Sequence, residues 1–467
     1  MAITLEQDVA YKEMPAGTDW IFTISSTNYS GNYKFKYIAD LWIDVGTPSA
    51  LSIRLKFSPN STGNGIIDIS KILEQYVSSD NLGDGSFKSA SVTATQQHPI
   101  HLIDAFSKNT NAARRLTIRW GEEYSANTTD APTEYINVLT SSNYFFWNGV
   151  AYNNEQHKVS GEYGIDITNW NDSRFNLGNS VASCLTDAPA IQYIADNEYH
   201  TLPFLNGWFT NGSTGADRIQ ISITDSSGAT TSGQIEFAGT YANGYNGTGD
   251  SALVSAGKQL NYAGVGIANM KGYNEFAAGV VPPSDWVSYE IFFRSGMSIM
   301  SKTYKFIRRD ADCKGFEKVR LTWINKYGAW DYYTFTKKNL RSTNITRAEY
   351  SKVTGNWNGD TFSKNGFDRG RGVLNTTATE KISLNSDWFS TDEEAAWIEQ
   401  LFISPEVYIL EGYDASDTGV DGAEYGKYLT PVVITSNTFD RYTRANDKVA
   451  QYELDIEYSI NKRVQRA

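Results

Sequence analysis

The feature that most constrains this chain is a repeated alternation of apolar or aromatic residues with polar ones. Residues 33–37 alternate aromatic side chains with lysines, and residues 51–57 place a large apolar side chain at every second position. Residues 451–458 repeat the pattern near the end of the chain. Because successive side chains of a strand point to opposite faces, this period of two predicts sheets with one buried face. Aromatic residues, which suit strands, make up 13% of the 467 residues, in agreement with that prediction.

Two local signals predict a hairpin and a helix in the last third of the chain. Residues 318–335 contain two alternating runs on either side of an Asn-Lys-Tyr-Gly turn, which predicts an antiparallel pair. Ser390 and Glu393 match the spacing of a capping box, and Pro405 marks the end of the helix that follows. Asp68 can cap a further, short helix.

Together these signals predict a mainly β protein of two or three β-sandwich-like domains with a few short helices. Residues 1–125 are expected to form an N-terminal β-sandwich. Residues 126–300, which are rich in Asn, Gly and Ser, are expected to form a loop-rich β domain that faces outward. Residues 301–467 are expected to form a C-terminal β-rich domain with one helix near residues 390–403.

The net charge of −12 argues against nucleic acid as a partner, because an acidic surface repels phosphate backbones. Two short basic segments are exceptions. Residues 461–466 are interpreted as a solvated tail. Residues 368–372 are interpreted as a plain loop, with contact to an acidic partner as the alternative. The beginning of the sequence does not resemble a signal peptide and no run of 18 apolar residues exists, so we expect synthesis in a cytoplasm and no membrane insertion.

Two groups of residues are candidate metal ligands. His98 and His101, with Asp104 beyond them, lack a third strong ligand nearby and are interpreted as an exposed loop. Acidic residues also cluster in the loop 411–427, where oxygen ligands could hold calcium; they are Asp414, Asp417, Asp421 and Glu424. A solvated hairpin loop is the preferred interpretation, and calcium stays the alternative. We therefore predict no metal site and no cofactor.

Catalytic signatures are equally sparse. Glu122 and Glu123 are adjacent carboxylates that a glycosidase could use, but adjacent residues of a strand face opposite ways, and a structural turn is preferred. Cys184 and Cys313 are interpreted as free, mostly buried thiols, and one bridge between them stays the alternative. No nucleophile elbow, phosphate loop or dinucleotide fingerprint is present. We predict that the protein is not an enzyme and has no catalytic residues.

Several fold markers resemble those of virion structural proteins of tailed bacteriophages, of the kind found in marine phages and phages of Bacteroidetes-type hosts. The markers are residues 20–22 and 33–43, residues 65–70 with their short helix, residues 120–124, the hairpin 323–335, Trp388, Trp397, residues 431–435 and the last strand before Asn461. The resemblance implies a particle component of the tail, baseplate or adhesion region, located in the virion and made in the host cytoplasm. It implies no enzyme site.

The leading functional hypothesis is therefore a non-enzymatic structural component of a tailed-phage particle. Its expected partners are other virion proteins and copies of itself in a ring, with host-surface glycan as a further candidate. The alternative is a carbohydrate-binding fibre or tip protein, in which an aromatic residue such as Trp208 stacks on sugar. A glycan depolymerase ranks third, because no carboxylate pair suited to it is evident.

Overall fold

The described residues form two compact units. The first contains those of Met1–Ala311 together with Ile324–Asp331, and the second contains those of Asp312–Trp323, Tyr332–Gly412 and Lys427–Ala467. The computed structural model describes residues 3–9, 12–44, 48–78, 106–108, 112–141, 143–150, 183–205, 218–236, 260–267, 270, 283–309, 315–368, 370–410, 429–441 and 449–463.

Most regular structure is strand, which confirms the mainly β fold class. Up to residue 311 the strands are β1 (Ile3–Gln7), β2 (Glu13–Gly17), β3 (Ile21–Ser26), β4 (Tyr33–Asp44), β5 (Ile53–Phe57), β6 (Gly65–Asp68), β7 (Phe106–Lys108), β8 (Ala113–Ser125), β9 (Thr133–Thr140), β10 (Tyr144–Val150), β11 (Ile191–Ile194), β12 (Thr201–Leu205), β13 (Arg218–Asp225), β14 (Thr230–Glu236), β15 (Leu260–Gly264), β16 (Trp286–Ser295), β17 (Ser298–Ile299) and β18 (Tyr304–Arg308). The later strands are β19 (Val319–Ile324), β20 (Trp330–Phe335), β21 (Leu340–Ser351), β22 (Arg371–Asn385), β23 (Val407–Leu410), β24 (Leu429–Ile434), β25 (Glu453–Tyr458) and β26 (Lys462–Arg463). Helix α1 (Ser70–Leu73) continues as a 3-10 turn (Glu74–Tyr76), and α2 spans Asp392–Ile403.

The N-terminal strands build a sandwich around aromatic side chains. One sheet has the order β1-β3-β6 and the other β2-β10-β8-β4-β5, with β9 beside β8. Phe22 of β3 lies between them, with its ring centroid 5.6 Å from those of Trp120 and Tyr144. Trp20 packs edge-on against Tyr144 at 6.0 Å. Tilted and edge-on contacts of this kind stabilise beyond the area that they bury.

A second sandwich is likewise built around aromatic and aliphatic side chains. Its sheets have the orders β11-β18-β16-β13-β14, with β17 beside β16, and β12-β15-β7. Phe204 of β12 faces Phe293 of β16 at 4.8 Å between ring centroids. The alternation in β13 buries Ile219, Ile221 and Ile223, each at most 1% exposed.

The last sheet has the order β20-β19-β23-β24-β25-β22-β21, with β26 beside β22. Its hairpin β19–β20 and its helix α2 confirm the two predictions made for this part of the chain. Trp397 of α2 lies 5.5 Å from Trp323 of β19 and 5.9 Å from Tyr333 of β20, measured between ring centroids. The helix therefore covers the aromatic face of the hairpin.

The cap of α2 lies one residue later than the sequence spacing predicted. The Thr391 hydroxyl accepts a hydrogen bond from the Glu394 N–H (3.1 Å), and the Glu394 carboxylate accepts one from the Thr391 N–H (3.2 Å). Thr391 and Glu394 fit the same capping-box pattern as Ser390 and Glu393. Two overlapping matches made the sequence ambiguous, and the chain uses the second.

The division at residues 125 and 300 stays a prediction, but two sheets extend across its first boundary. Strand β10 pairs with β8 in the N-terminal sandwich. Strand β7 pairs with β15 in the second sandwich. Residues on either side of position 125 therefore contribute strands to both sandwiches.

The same turn recurs at three places in the chain. An Asn or Asp oxygen accepts hydrogen bonds from the N–H groups two and four residues later, at 2.9–3.1 Å. A glycine with positive φ, the region that favours glycine, stands three residues after the Asn or Asp. The pairs are Asn60 with Gly63 (φ 90°), Asp225 with Gly228 (φ 85°) and Asn325 with Gly328 (φ 71°).

Candidate assembly surface

Several candidate residues named from the sequence lie outside the described residues. They are His98, His101, Asp104, Trp208, Cys313, Arg369, Asp414, Asp417, Asp421 and Glu424, the last four belonging to the loop 411–427. Within the described ranges, no group of three or more His, Cys, Asp or Glu side chains is arranged to hold a metal ion.

The paired carboxylates Glu122 and Glu123 do not form a turn, so that expectation is wrong. Both lie inside β8, because the strand continues to Ser125. Glu122 is buried and accepts hydrogen bonds from Ser26 Oγ and Asn28 Nδ2, both at 2.5 Å. Glu123 is paired instead with Lys56. The two carboxylates thus have different partners, as expected for neighbours on a strand.

Glu123 belongs to a row of charges that crosses the sheet β5-β4-β8-β9. Arg54 binds Asp40 with two nitrogens at 2.6 and 2.8 Å and reaches Glu134 at 3.0 Å. Lys56 is hydrogen-bonded to both Glu123 and Glu134, and its bond to Glu134 holds the pKa of that carboxyl below its ordinary value. These charges neutralise one another locally, which is typical of cross-strand pairing.

Cys184 is buried, as predicted, and its thiol is not activated. Burial raises its pKa to about 12, which leaves the thiol protonated and therefore a poor nucleophile at neutral pH. Its backbone N–H donates to the Tyr304 hydroxyl at 2.7 Å. The residue is accordingly part of the core of the second sandwich.

No helix among the described residues is long and apolar enough to cross a membrane.

Most described aromatic residues belong to the cores. Six tryptophans and six tyrosines are the largest side chains with less than 2% of their surface exposed. Two tryptophans of the described residues stand out as exposed, Trp357 at 68% and Trp388 at 59%. Trp357 lies in the segment that joins β21 to β22, at the tip of the hairpin that these strands form.

Residues 340–376, called the arm below, contain a hairpin whose described side chains are mostly exposed. Strand β21 is the last strand of its sheet, and all twelve of its residues are exposed. It pairs with β22 from Leu340 opposite Ser383 to Ser351 opposite Arg371. Within the described residues β22 has a second neighbour only from Thr377 onward, so residues 371–376 and their partners form a two-stranded ribbon.

The arm concentrates exposed large apolar side chains, since it contains nine of the 27 found among the described residues. They are Leu340, Ile345, Tyr350, Val353, Trp357, Phe362, Phe367, Val373 and Leu374, each at least 40% exposed. An isolated two-stranded hairpin is at best marginally stable in water, and a long open edge invites pairing with another chain. The arm is therefore a surface that another molecule would stabilise.

The tip of the arm, residues 352–370, is held together by its own contacts. The Trp357 and Phe362 rings lie 5.3 Å apart, and the Trp357 Nε1–H donates to the Thr354 carbonyl at 2.8 Å. Gly355 has φ 87°, and a Cβ there would lie 2.5 Å from the Phe362 ring. Phe362 therefore needs this glycine to pack closely. The Trp357 and Phe362 rings thus form a compact group, called the aromatic knob.

Two basic segments have more structure than the sequence predicted. In 368–372, interpreted as a plain loop, Arg371 begins β22 and pairs with Glu349 across the hairpin. In the tail, Lys462 and Arg463 form the short strand β26 beside β22, and Lys462 pairs with Glu380. These two residues therefore belong to a sheet, while the Lys462 side chain remains exposed to solvent. Pairing with strand β22 supplies the order that the local sequence does not indicate.

Comparisons with known proteins identify no family: no family model matches, and no curated protein matches. One similar solved structure is the tail of an empty GTA particle with C6 symmetry, at 16% identity and a TM-score of 0.14, covering 28% of this chain and 81% of that one. Another is a Salmonella alpha-2-macroglobulin reacted with methylamine, at 9% identity and a TM-score of 0.18, covering 97% of this chain and 23% of that one. TM-scores this low support no argument about fold or function.

Proposed function

We propose that this protein is a non-enzymatic structural component of a tailed-phage particle, assembled in its tail, baseplate or adhesion region. The arm is the observation that carries the proposal, because an exposed hairpin with an aromatic knob gains further stability when another molecule covers it. The sequence resemblance to virion structural proteins points to the particle as the place where that happens. The expected partners are other virion proteins and copies of this chain.

Mass spectrometry of purified particles tests the location, and cross-linking tests the surface. We expect this chain in the particles, with cross-links to other chains from Lys352 and Lys364 in the arm. Lys71, which is exposed on α1 and paired with Glu74, serves as the control and should give fewer such cross-links. Absence of the chain from purified particles would contradict the proposal.

Glycan binding is a second candidate, and the exposure of Trp357 favours it. A tryptophan ring can stack on the apolar face of a sugar. Titration of host-surface glycan against the full chain, followed by tryptophan fluorescence, tests this function. Binding lost in Trp357→Ser but kept in Trp388→Ser would support it. No binding at millimolar glycan would remove it.

A further inference from the structure

We infer that the arm of one copy binds the acidic body of a second copy, head to tail. This inference rests on the proposed function, since it names the partner of the same surface. Body here means the chain outside residues 340–376. Because arm and body are different surfaces, the contact is heterologous, and repetition of it produces a ring or an open filament rather than a two-fold dimer.

Charge favours a second copy as the occupant. The arm contains six Lys or Arg residues and three Asp or Glu residues, a net charge of +3. The whole chain has a net charge of −12, which leaves −15 for the body. The opposite charges favour contact between the arm of one copy and the body of another and orient the arm toward it, although the two whole copies have net charges of the same sign. Two arms placed side by side would instead bring like charges together.

The aromatic knob supplies the apolar part of the contact. The rings of the knob, Trp357 and Phe362, and the ring of Phe367 in the same tip are 61–80% exposed. Burial of these rings at an interface would remove a large apolar area from water. Tryptophan is among the residues that most often dominate an interface, especially at its centre. The knob is flanked by Lys352 and Lys364, both exposed, which suits contact with an acidic surface. The acidic body of a second copy therefore has the charge that complements these two lysines.

Analytical ultracentrifugation of the full chain at low salt is the first measurement. We expect concentration-dependent assembly that weakens as the salt rises from about 0.05 M to about 0.5 M, because salt screens the charge attraction. The double variant Lys352→Glu/Lys364→Glu should weaken assembly at least tenfold. The matched control, Lys12→Glu/Lys338→Glu, changes two exposed lysines outside the arm and should assemble as the parent chain does.

The knob is tested in the same assay. The double variant Trp357→Ser/Phe367→Ser should raise the dissociation constant about thirtyfold, the change that corresponds to about 2 kcal/mol for a central aromatic contact. Trp388→Ser, an exposed tryptophan outside the arm, should leave it unchanged. All these positions lie outside the buried cores, so thermal melting of the body should match that of the parent chain; Phe367→Ser alone keeps the Trp357–Phe362 contact of the tip and should weaken assembly in the same direction.

A mixing experiment decides the geometry. In an arm-shortened chain, Asn-Gly replaces residues 353–369, because the Lys352 N–H already donates to the Gly370 carbonyl at 2.8 Å. Alone it should stay monomeric, yet mixed with the parent chain it should enter complexes, because its body still accepts an arm. If it enters none while the parent assembles, the contact is arm to arm and the inference is overturned. A parent chain that stays monomeric also overturns it, whereas the proposed function then still stands on the presence of the chain in particles.

Discussion

At the scale of single residues, two glycines with the same backbone conformation differ in their surroundings. Gly228 and Gly328 occupy the same position of the same turn, with φ values of 85° and 71°. A Cβ on Gly228 would meet nothing within 4 Å, whereas one on Gly328 would lie 1.2 Å from the Asn148 carbonyl oxygen. The first glycine is needed for its conformation alone, and the second is needed for conformation and space.

Gly328→Ala should therefore destabilise far more than Gly228→Ala. The positive φ costs an alanine about 1 kcal/mol at either position. At Gly328 the backbone must also move away from Asn148, which brings the expected loss to about 4 kcal/mol or more. Urea unfolding of both variants measures the difference. Equal losses would mean that the approach of Asn148 to Gly328 is not maintained in solution.

A second residue-scale prediction concerns Tyr37. Burial, and after it the charge of Glu122, raises its pKa to about 12, and its hydroxyl donates to the Gly63 carbonyl at 2.6 Å. The unfolded chain ionises this tyrosine near pH 10, so its contribution to stability is complete below pH 10 and is lost as the pH rises toward 12. By pH 11 the loss should reach about 1 kcal/mol.

Tyr37→Phe provides the control for that titration. The variant keeps the ring and loses the hydrogen bond, so it should be about 1 kcal/mol less stable than the parent at pH 8. Above pH 10 the gap should narrow, because the phenylalanine cannot ionise. Chemical unfolding measured from pH 8 to 11 follows the gap. A constant difference over this range would show that Tyr37 does not titrate abnormally.

At the scale of elements, buried faces were predictable and uncovered ones were not. In β13 the alternation exists because one face enters the core, so the sequence records it. In β21 neither face is buried, so no alternation is required and residues 340–351 show none. For that reason the sequence pattern did not predict the arm. Its only local signal is the run of Asn, Gly and aromatic residues between Val353 and Phe367.

The capping box of α2 allows a test at this scale. Thr391→Ala should cost about 1 kcal/mol, because the first turn loses a side-chain acceptor for the Glu394 N–H. Ser390→Ala should cost less than about 0.5 kcal/mol, because only the backbone N–H of Ser390 bonds to Glu394. Thermal or urea unfolding of the two variants gives the ranking. The reverse ranking would place the cap at Ser390, as the first of the two sequence matches suggests.

At the scale of the whole molecule, composition predicted the class of the fold but not how the chain is divided. The aromatic excess is explained by sandwich cores such as the one around Phe22 and Trp120. The pairing of β7 with β15 joins residues about 150 positions apart, and local patterns contain no information on such partners. The candidate catalytic pair shows the same dependence on distant partners, since Glu122 and Glu123 are engaged by residues distant in sequence.

Hydrogen exchange should report the arm in the assembled and isolated states. In the isolated chain, the open edge of β21 leaves the outward-pointing amides of Leu340–Ser351 to exchange rapidly. In assembled particles we expect peptides from residues 340–376 to slow at least tenfold, while peptides from β13 remain slow in both states. Mass spectrometry of pepsin digests makes the comparison. Unchanged exchange of the arm in particles would contradict a covering partner.

The closely packed knob at Gly355 and Phe362 also affects the kinetics of assembly. Its hydrogen bonds, including the one from the Asn356 N–H to the Ser363 carbonyl at 2.8 Å, already order the loop in a single chain. The conformational entropy of the tip is thus lost during folding and not at the encounter with a partner. Association should then proceed in one phase whose rate is proportional to concentration, without a slow unimolecular step.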